Sequence, residues 1–420
     1  MNLLLENKKL IGSVNVPSSK SLAHRYLICG ALAKEPGSII TNVSVSDDIL
    51  ATINVLEALG AEIEVRGNTC TIIKCISNTR STVLDCKESG SVLRFFLPIA
   101  LMLVDEVKFI GKGRLLERPL TPYFDIMDKQ GIAYVLTQDS LIIKGKLSGN
   151  KYELPGDISS QFITGLLFAA VLSDQDTIIE ITTTLQSVGY VEMTLDAFEC
   201  FGVHVIREEN RFIITGDQCF EKTCISVEGD YSQAAFFLVA GALGNEINVL
   251  GINEDSLQGD KEIVQILKNA GATIVQDNDV IKAVQNELKP FVVDASDIPD
   301  LVPILAVLAC GIKGDSKIIN ASRTRLKESD RLYTIAKELR ALGGDVLELE
   351  DGLIIKGTGS LKGGTVIGHN DHRIAMALAI ASTIAKNNVV INGAECVSKT
   401  YPHFFEHIVS LGGKYEHMGQ

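Results

Sequence analysis

A unit of about 70 residues recurs six times along this chain of 420 residues. In each copy a helix-like stretch ends in glycine and a short strand-like segment follows, as in LEALGAEIEV and LRALGGDVL. The intervals between these glycines are 71, 71, 69, 72 and 69 residues, and the six positions are Gly60, Gly131, Gly202, Gly271, Gly343 and Gly412. Glycine can adopt the left-handed conformation that caps a helix and redirects the chain. The spacing therefore predicts six copies of one supersecondary unit.

A second element recurs in step with these glycines. Polar, often serine-containing segments lead into apolar helices, such as SSKSLAHRYLICGALA and SSQFITGLLFAAVLS. Their first polar residues lie 65 to 74 residues apart and are Ser19, Ser89, Ser159, Ser232, Asp297 and Asp371. Ser and Asp are favoured N-caps, and apolar residues around most of the circumference predict buried helices. The unpaired N–H groups and the dipole at such a helix start form a natural anion site.

The remaining strands predict an α/β fold with two domains. Two alternating segments after each glycine, as in AEIEVRGNTCTIIK, predict a β-hairpin. The sixth copy lacks its second strand, whereas the N-terminal LLLENKKLIGSVNV begins with a strand that has no helix before it. We infer that the N-terminal strand completes the sixth copy, which places residues 1–18 and 229–420 in one domain and 19–228 in the other. The alternative is two sequential domains divided near residue 228, with a disordered N-terminus.

Composition narrows the class of partners. The chain is 46% hydrophobic and 22% charged, as globular proteins are, and its length exceeds what one core usually serves. Its net charge of -13 argues against nucleic-acid or anionic-membrane partners, although a local Arg and Lys cluster can still bind small anions. Nine cysteines without a C-x-x-C pair favour reduced thiols, and no apolar run reaches the roughly 18 residues of a membrane span. We expect a cytoplasmic protein.

Four segments carry unusual charge placement. Lys20 lies in the first turn of the helix that begins PSSKSLAHR, where the helix dipole disfavours a cation, so that either a bound anion or simple solvation accounts for it. Gly90 in ESGSVLR allows close backbone approach, and Arg94 and Arg118 offer forked donors for carboxylate or phosphate. The other two segments are DIPDLVPILAV with TRLKESDRL, and HNDHRIAMALAIA with SKTYPHFFEH. Taken singly, their acidic residues fit helix caps equally well.

Two histidine patterns suggest metal binding but have simpler interpretations. His369 and His372 flank a helix start, where capping is the commoner role, and no nearby Cys or Glu completes a ligand set. His403 and His407 match the H-x-x-E-H zinc pattern, yet they lie only 17 and 13 residues before residue 420. Zinc is therefore disfavoured. No Walker A loop and no Gly-x-Ser-x-Gly elbow occur, so that neither a P-loop kinase nor an α/β-hydrolase is indicated.

In combination, the motifs point to a single protein family. PSSKSLAHR, SSQF, EGD at 228–230, IPD at 298–300, LKESDR and NDHR occur in this order over essentially the whole chain. Together they closely resemble the 5-enolpyruvylshikimate-3-phosphate (EPSP) synthase family. The resemblance implies two similar inside-out α/β domains, each of three βαβαββ units, that close on substrate. It also implies enolpyruvyl transfer from phosphoenolpyruvate to shikimate 3-phosphate, in the pathway to chorismate and aromatic amino acids, with no metal or organic cofactor. We further expect a monomer.

The resemblance assigns site residues motif by motif. Asp300 would accept the proton of the 5-hydroxyl, Glu328 would protonate the methylene carbon, and Lys20 is counted with them as catalytic. Shikimate 3-phosphate is assigned to Lys20, Ser21, Arg25, Ser159, Ser160, Gln161, Ser187, Tyr190, Asp300 and Lys327. Phosphoenolpyruvate is assigned to Lys20, Gly90, Arg118, Gln161, Arg331, Arg373 and Lys399. Because both substrates carry phosphate and carboxylate groups, such a concentration of cations is what holding them together requires.

Some residues depart from the usual pattern of this family, and two other kinds of protein are alternatives. Glu88–Ser91 reads Glu-Ser-Gly-Ser where Asn-Ala-Gly-Thr is usual, and Phe95 stands where Pro is common, which bears on glyphosate sensitivity rather than on the reaction. Arg323 replaces an Asn found in many members, so that sugar contact is not carried over. The UDP-N-acetylglucosamine enolpyruvyl transferases usually have Lys-Asn where this chain has Lys20-Ser21, and a Cys in the loop that here reads GKGRLLERPL. A catalytically idle repeat scaffold that binds small anions is the rival from another class.

Overall fold

The computed structural model describes residues 1–277 and 279–418. Its strands, in chain order, are β1 (Asn2–Leu5), β2 (Ile11–Asn15), β3 (Ile39–Thr41), β4 (Glu62–Arg66), β5 (Thr69–Lys74), β6 (Val83–Asp85), β7 (Glu106–Ile110), β8 (Ala133–Leu136), β9 (Ser140–Lys144), β10 (Lys151–Leu154), β11 (Thr177–Ile181), β12 (Ile206–Glu208), β13 (Arg211–Ile214), β14 (Cys224–Ser226), β15 (Glu246–Leu250), β16 (Thr273–Asp277), β17 (Val280–Val284), β18 (Val292–Asp294), β19 (Lys313–Ile319), β20 (Asp345–Leu349), β21 (Gly352–Thr358), β22 (Gly364–Ile367), β23 (Val389–Asn392) and β24 (Tyr415–His417). Its α-helices are α1 (Lys20–Ala31), α2 (Asp47–Ala58), α3 (Gly90–Leu103), α4 (Thr121–Gln130), α5 (Ser160–Val171), α6 (Val188–Cys200), α7 (Tyr231–Ala242), α8 (Glu262–Asn269), α9 (Val302–Cys310), α10 (Arg331–Ala341), α11 (His372–Ala381) and α12 (Phe404–Ser410).

The chain forms two compact units. One contains Met1–Pro17 and Glu228–Gln420, and the other contains Ser18–Val227. Over residues 1–277 and 279–418, each unit has three four-stranded sheets and its own hydrophobic core. No helix in this described part of the chain is long and apolar enough to cross a membrane.

The structural repeat is a βαβαββ unit. In the run β6–α3–β7–α4–β8–β9, β6 and β7 pair in parallel, β9 pairs antiparallel with β7, and β8 forms the edge, giving the order β6-β7-β9-β8. A helix can join two parallel strands in this way, whereas a tight turn joins the antiparallel hairpin. The same order recurs as β10-β11-β13-β12 and β18-β19-β21-β20.

The other three sheets have the same arrangement but take one strand from elsewhere in the sequence. β14 pairs in parallel with β3, and β2 pairs in parallel with β15. β1 lies between β23 and β24 and is antiparallel to both, so that Leu4 faces Val390 on one side and Glu416 on the other. Leu3 and Leu5 alternate onto the buried face, as a strand with one covered face requires.

The repeat glycines adopt the predicted backbone conformation. All six have positive φ, with values from 69° at Gly131 to 110° at Gly60. A Cβ at Gly60 would lie 2.4 Å from the carbonyl oxygen of Asn78, whereas a Cβ at Gly131 would meet no heavy atom within 4 Å. Glycine is therefore favoured by conformation at every repeat, and by space as well at Gly60.

The first helix of each repeat is buried, but two of the predicted helix starts, at Ser232 and Asp297, are wrong. Helix α7 begins at Tyr231, because the N-cap is Asp230, whose carboxylate accepts from the N–H groups of Ser232 and Gln233. Helix α9 begins at Val302 instead of near Asp297, because Pro299–Leu301 form a 3₁₀ turn first. Proline disfavours helical geometry in the residue before it, which delays the start of the α-helix.

Candidate active site

Arg331 is the centre of a charge cluster in the unit that contains the C-terminal half of the chain. Its side chain is 1% exposed, and its Nη1 donates to Asp300 Oδ1 at 2.8 Å. Its Nη2 donates to Glu328 Oε2 at 2.6 Å, and its Nε donates to Asp371 Oδ2 at 2.8 Å. Burial favours loss of the proton, but the three carboxylates outweigh it and raise the pKa of Arg331. One buried cation therefore fixes three acidic side chains.

Asp300 is the carboxylate with the most cationic neighbours in this cluster. Its Oδ2 lies 2.9 Å from Arg373 Nη2, and its Oδ1 lies 3.4 Å from Lys327 Nζ. Burial opposes ionisation, but the charges of Arg373, Lys327 and Arg331 outweigh it and hold the pKa of Asp300 well below its ordinary value. Burial is also the largest influence on Lys327, whose pKa is lowered even though Asp300 opposes the shift. Asp300 is thus ionised, as a proton acceptor must be.

Local sequence explains how LKESDR enters this cluster. The segment lies between a 3₁₀ helix, Ser322–Leu326, and α10. Asp330 is the N-cap of α10 and accepts from the N–H of Tyr333 at 3.0 Å, while Arg325 binds its carboxylate from the other side at 2.8 Å. Glu328 and Arg331 are three residues apart, a spacing that brings side chains together across a helix start.

The NDHR segment contributes the start of α11. Asp371 caps this helix by accepting from the N–H of Arg373, and its carboxylate also accepts from Ser329 Oγ at 3.0 Å. Arg373 Nη2 donates to Ser232 Oγ at 3.0 Å, in addition to its ion pair with Asp300. Lys399 ends a 3₁₀ helix, Ala394–Lys399, and its Nζ donates to the carbonyl oxygen of Asn370 at 2.6 Å.

A second cluster lies within the unit of residues 18–227, at the starts of α3 and α5. A Cβ added to Gly90 would lie 2.8 Å from Arg118 Nη1, 3.3 Å from Arg94 Nη1 and 3.6 Å from Gln161 Oε1. Arg94 Nη1 donates to Gln161 Oε1 at 2.7 Å, and Gln161 Nε2 donates to Ser91 Oγ at 2.9 Å. Two guanidinium groups and a helix N-terminus therefore face one glycine backbone, a combination suited to a carboxylate or phosphate.

The start of α1 adds a cation and a structural arginine. Ser19 caps α1, and Lys20 Nζ forms an ion pair with Asp48 Oδ2 at 2.7 Å. Arg25 is buried, and its guanidinium donates to Ser21 O at 2.6 Å, Tyr190 O at 2.8 Å and Thr194 Oγ1 at 2.9 Å. Burial lowers the pKa of Arg25 to about 10. These bonds tie α1 to α6, so that Arg25 has a clear structural role in addition to its assignment to shikimate 3-phosphate.

The remaining assigned residues also lie at helix starts of this unit. Ser159 caps α5 by accepting from the N–H of Gln161, and Ser160 is the first residue of the helix. Ser187 precedes α6 with φ of 56° and ψ of 44°, a left-handed conformation that is unusual for serine. Tyr190 lies in the first turn of α6. Every site residue assigned to this unit except Arg25 and Arg118 thus lies at or within one turn of a helix N-terminus.

Within each unit, the structure brings some of the assigned residues together. Asp300, Lys327, Glu328, Arg331 and Arg373 form one network, and Lys399 is linked to it through the Asn370–Asp371 segment. Gly90, Arg118 and Gln161 form the other group.

Four residues were missed by the assignment from sequence. Asp371 was recognised only as a helix start, and Arg94 only as a forked donor. Asp48 and Ser232 gave no signal beyond their places near helix starts. Lys20 lies 28 residues from Asp48 and Arg373 lies 141 residues from Ser232, so that local patterns cannot reveal these two contacts.

Three histidines of the two patterns hydrogen-bond to other side chains. His369 Nε2 lies 2.6 Å from Glu338 Oε1, His403 Nδ1 lies 2.7 Å from Glu406 Oε2, and His407 Nδ1 lies 2.6 Å from the hydroxyl of Tyr401. Residues 1–277 and 279–418 contain no group of three or more His, Cys, Asp or Glu side chains placed to hold a metal ion.

Comparison with solved structures identifies the fold. An EPSP synthase from Acinetobacter baumannii superposes with a TM-score of 0.81 at 24% identity, covering 99% of this chain and 100% of the other. The enolpyruvyl transferase NikO from Streptomyces tendae superposes with a TM-score of 0.80 at 16% identity, covering 99% and 98%. The chain therefore has the two-domain inside-out α/β fold of the enolpyruvyl transferases, which confirms the predicted fold class.

Sequence comparison then gives the family. The family EPSP synthase (3-phosphoshikimate 1-carboxyvinyltransferase) matches residues 5–408. A 3-phosphoshikimate 1-carboxyvinyltransferase from Clostridium perfringens is 46% identical over 417 residues, covering 98% of both chains. The chain belongs to the EPSP synthase family.

Proposed function

We propose that this protein transfers the enolpyruvyl group of phosphoenolpyruvate to the 5-hydroxyl of shikimate 3-phosphate and releases phosphate. The observation that carries the proposal is the network around Arg331, in which two acids of different surroundings lie on one guanidinium. Asp300 is held ionised by Arg373, Lys327 and Arg331, whereas Glu328 Oε2 accepts from Arg331 Nη2 at 2.6 Å. Acid–base chemistry at two neighbouring substrate atoms needs two such carboxyl groups.

The proposed reaction proceeds in two stages. Asp300 accepts the proton of the 5-hydroxyl as that oxygen bonds to C2 of phosphoenolpyruvate, while Glu328 delivers a proton to the methylene carbon. The product is a tetrahedral intermediate with a methyl group. The methyl carbon then returns a proton to Glu328, the C2–O bond to phosphate breaks with its electron pair on the phosphate oxygen, and the double bond re-forms. Asp300 passes its proton to the phosphate or to water, so that both carboxyl groups regain their initial state.

The cations supply binding and charge neutralisation. We assign phosphoenolpyruvate to Lys20, Gly90, Arg118, Gln161, Arg331, Arg373 and Lys399. We assign shikimate 3-phosphate to Lys20, Ser21, Arg25, Ser159, Ser160, Gln161, Ser187, Tyr190, Asp300 and Lys327. Each hydrogen bond to a charged group contributes about 1.5–3 kcal/mol. Asp371 and Ser232 are proposed to act indirectly, because they hold Arg331 and Arg373.

Domain function, location and assembly stay predictions. We propose that residues 19–228 form one substrate-binding domain and that residues 1–18 with 229–420 form the other. We also propose a cytoplasmic location, a monomeric state and independence of metal or organic cofactors.

Phosphate release tests the activity directly. Purified protein is incubated with phosphoenolpyruvate and either shikimate 3-phosphate or UDP-N-acetylglucosamine, and phosphate is measured over time. Release only with shikimate 3-phosphate is expected. Release only with the nucleotide sugar would assign the chain to the other enolpyruvyl transferases, and release with neither would support the idle scaffold.

Replacement of Glu328 by Gln tests the proton donor. This change keeps the side chain's size and its hydrogen bond to Arg331 but removes the transferable proton, so that turnover should fall at least about a hundredfold. Binding of both substrates, measured by calorimetry, should change little. Glu246→Gln is the matched control, because Glu246 pairs with Lys9 at the surface and should leave turnover unchanged. Near-normal turnover of Glu328→Gln would refute the assigned role.

A further inference from the structure

The turn between β22 and α11 has an unusual backbone. His369 and Asn370 have φ of 51° and 53°, and the N–H of Asp371 donates to the carbonyl oxygen of Gly368 at 2.9 Å. Two successive left-handed residues closed by this hydrogen bond are typical of a type I′ turn. Asparagine and histidine are found here more often than most side chains, but the conformation still costs each about 1–3 kcal/mol, which the surroundings must offset.

Glu338 of α10 supplies that compensation. Its side chain is buried, its Oε1 accepts from His369 Nε2 at 2.6 Å, and its Oε2 accepts from the N–H of Ile367 at 3.0 Å. Burial opposes ionisation of this carboxyl, but the hydrogen bonds from His369 and Ile367 outweigh it and lower the pKa of Glu338. One buried carboxylate therefore holds the residue at the strained position and the strand end that precedes it.

The turn controls groups that belong to the candidate active site. The carbonyl oxygen of Asn370 accepts from Lys399 Nζ, and Asp371 binds Arg331. A Cβ at Gly368 would lie 2.9 Å from the carbonyl oxygen of Gly393, so that the turn packs tightly on the residue before the 3₁₀ helix that ends at Lys399. A relaxation of the turn to negative φ would reorient the Asn370 carbonyl and remove the acceptor that directs Lys399.

We propose that Glu338 is a positioning residue for phosphoenolpyruvate, which acts through His369 to hold the turn Gly368–Asp371 in its left-handed form and thereby to direct Lys399. The inference rests on the proposed function, in which Lys399 binds phosphoenolpyruvate. Glu338 itself is not a catalytic residue, since it contacts the turn rather than the substrate-binding side chains.

Steady-state kinetics of Glu338→Ala test the proposal. The KM for phosphoenolpyruvate should rise about tenfold, as expected when one charge-assisted contact is misplaced, while kcat and the KM for shikimate 3-phosphate stay within about threefold. Arg340→Ala is the matched control on the same helix. It removes a hydrogen bond to the carbonyl oxygen of Val346 without touching the turn, and should leave all three constants unchanged.

A second substitution at position 369 shows whether Glu338→Ala acts through the turn or through lost packing. Glycine takes positive φ without steric cost, so that Glu338→Ala combined with His369→Gly should return the KM for phosphoenolpyruvate to within about threefold of wild type. Packing around Glu338 could not be restored by deleting another side chain. If Glu338→Ala does not fold, His369→Ala and His369→Gly answer the same question with Glu338 intact, because only alanine opposes the left-handed backbone. The alanine variant should then have the higher KM.

Two outcomes would overturn the inference: an unchanged KM for phosphoenolpyruvate in folded Glu338→Ala, or equal KM values for His369→Ala and His369→Gly. Both assume that wild-type protein releases phosphate from the two substrates. If it does not, the proposed function fails first, and the wild-type measurement made alongside shows which of the two ideas was wrong.

Discussion

Protein stability alone does not explain the position of Lys20. A cation in the first turn of a helix opposes the helix dipole, and the ion pair with Asp48 on α2 offsets part of that cost. Lysine carries three N–H donors, so that one ammonium group can bind a carboxylate and an anion together. This arrangement is consistent with a side chain that faces both substrates.

Lys20→Met should therefore weaken the binding of both phosphoenolpyruvate and shikimate 3-phosphate. Loss of a hydrogen bond to a charged group costs about 1.5–3 kcal/mol, which is roughly a 10- to 100-fold rise in each Kd. Isothermal titration calorimetry checks both values. Lys34→Met is the control, because Lys34 is an exposed cation just beyond the C-terminal end of α1. Unchanged affinity for both ligands would remove Lys20 from the site.

At the scale of elements, the glycines that end the repeat helices are equivalent in sequence but not in surroundings. All have positive φ, yet a Cβ would meet backbone at Gly60 and open space at Gly131. The left-handed conformation alone costs an alanine about 1–2 kcal/mol, and a close contact with backbone adds to this cost because the backbone cannot move aside.

Gly131→Ala should lower the free energy of unfolding by about 1 kcal/mol, and Gly60→Ala by about 2–4 kcal/mol. Both glycines belong to the unit Ser18–Val227, so that the same unfolding transition reports both changes. Urea denaturation followed by circular dichroism measures the difference. Equal effects would mean that Asn78 moves aside and that conformation alone sets the preference for glycine.

At the scale of the whole molecule, buried ionisable groups make stability depend on pH. His24 is fully buried, its Nδ1 lies 2.6 Å from Thr52 Oγ1, and burial, with Lys20 and Arg25 nearby, holds its pKa well below the ordinary value. The unfolded chain therefore binds a proton below about pH 6.5 that the folded chain does not. This contribution to stability is complete above that pH and is lost as the pH falls.

His24→Leu should remove this part of the acid destabilisation. Between about pH 6.5 and 5, the wild-type protein should lose up to about 1.4 kcal/mol of unfolding free energy per pH unit because of His24, and the variant should lose correspondingly less. Denaturation midpoints measured at several pH values check the slope. His204→Leu is the control, because His204 is exposed. Identical slopes for wild type and His24→Leu would show that another group is responsible.

Much of the architecture could be predicted, because repetition is visible along the chain. The glycine spacing, the apolar helices and the hairpins are local patterns that recur at a fixed interval, and the described residues form six four-stranded sheets that correspond to them. The wrong starts of α7 and α9 had local causes too, an aspartate two residues upstream and a proline that delays the helix. The placement of the N-terminal strand in the sixth copy was inferred only from what the first and last copies lack.

The sequence by itself determined the residue types of the candidate site, because LKESDR, NDHR and ESGSVLR carry their charges within short motifs. Only the tertiary structure decided which charges meet. It placed Asp371 and Asp300 on Arg331, set Arg94 beside Gly90, and linked Glu338 to the turn before α11. The reason is physical: a burial pattern depends on neighbours along the chain, whereas an ion pair depends on distance in space between residues that the topology alone brings together.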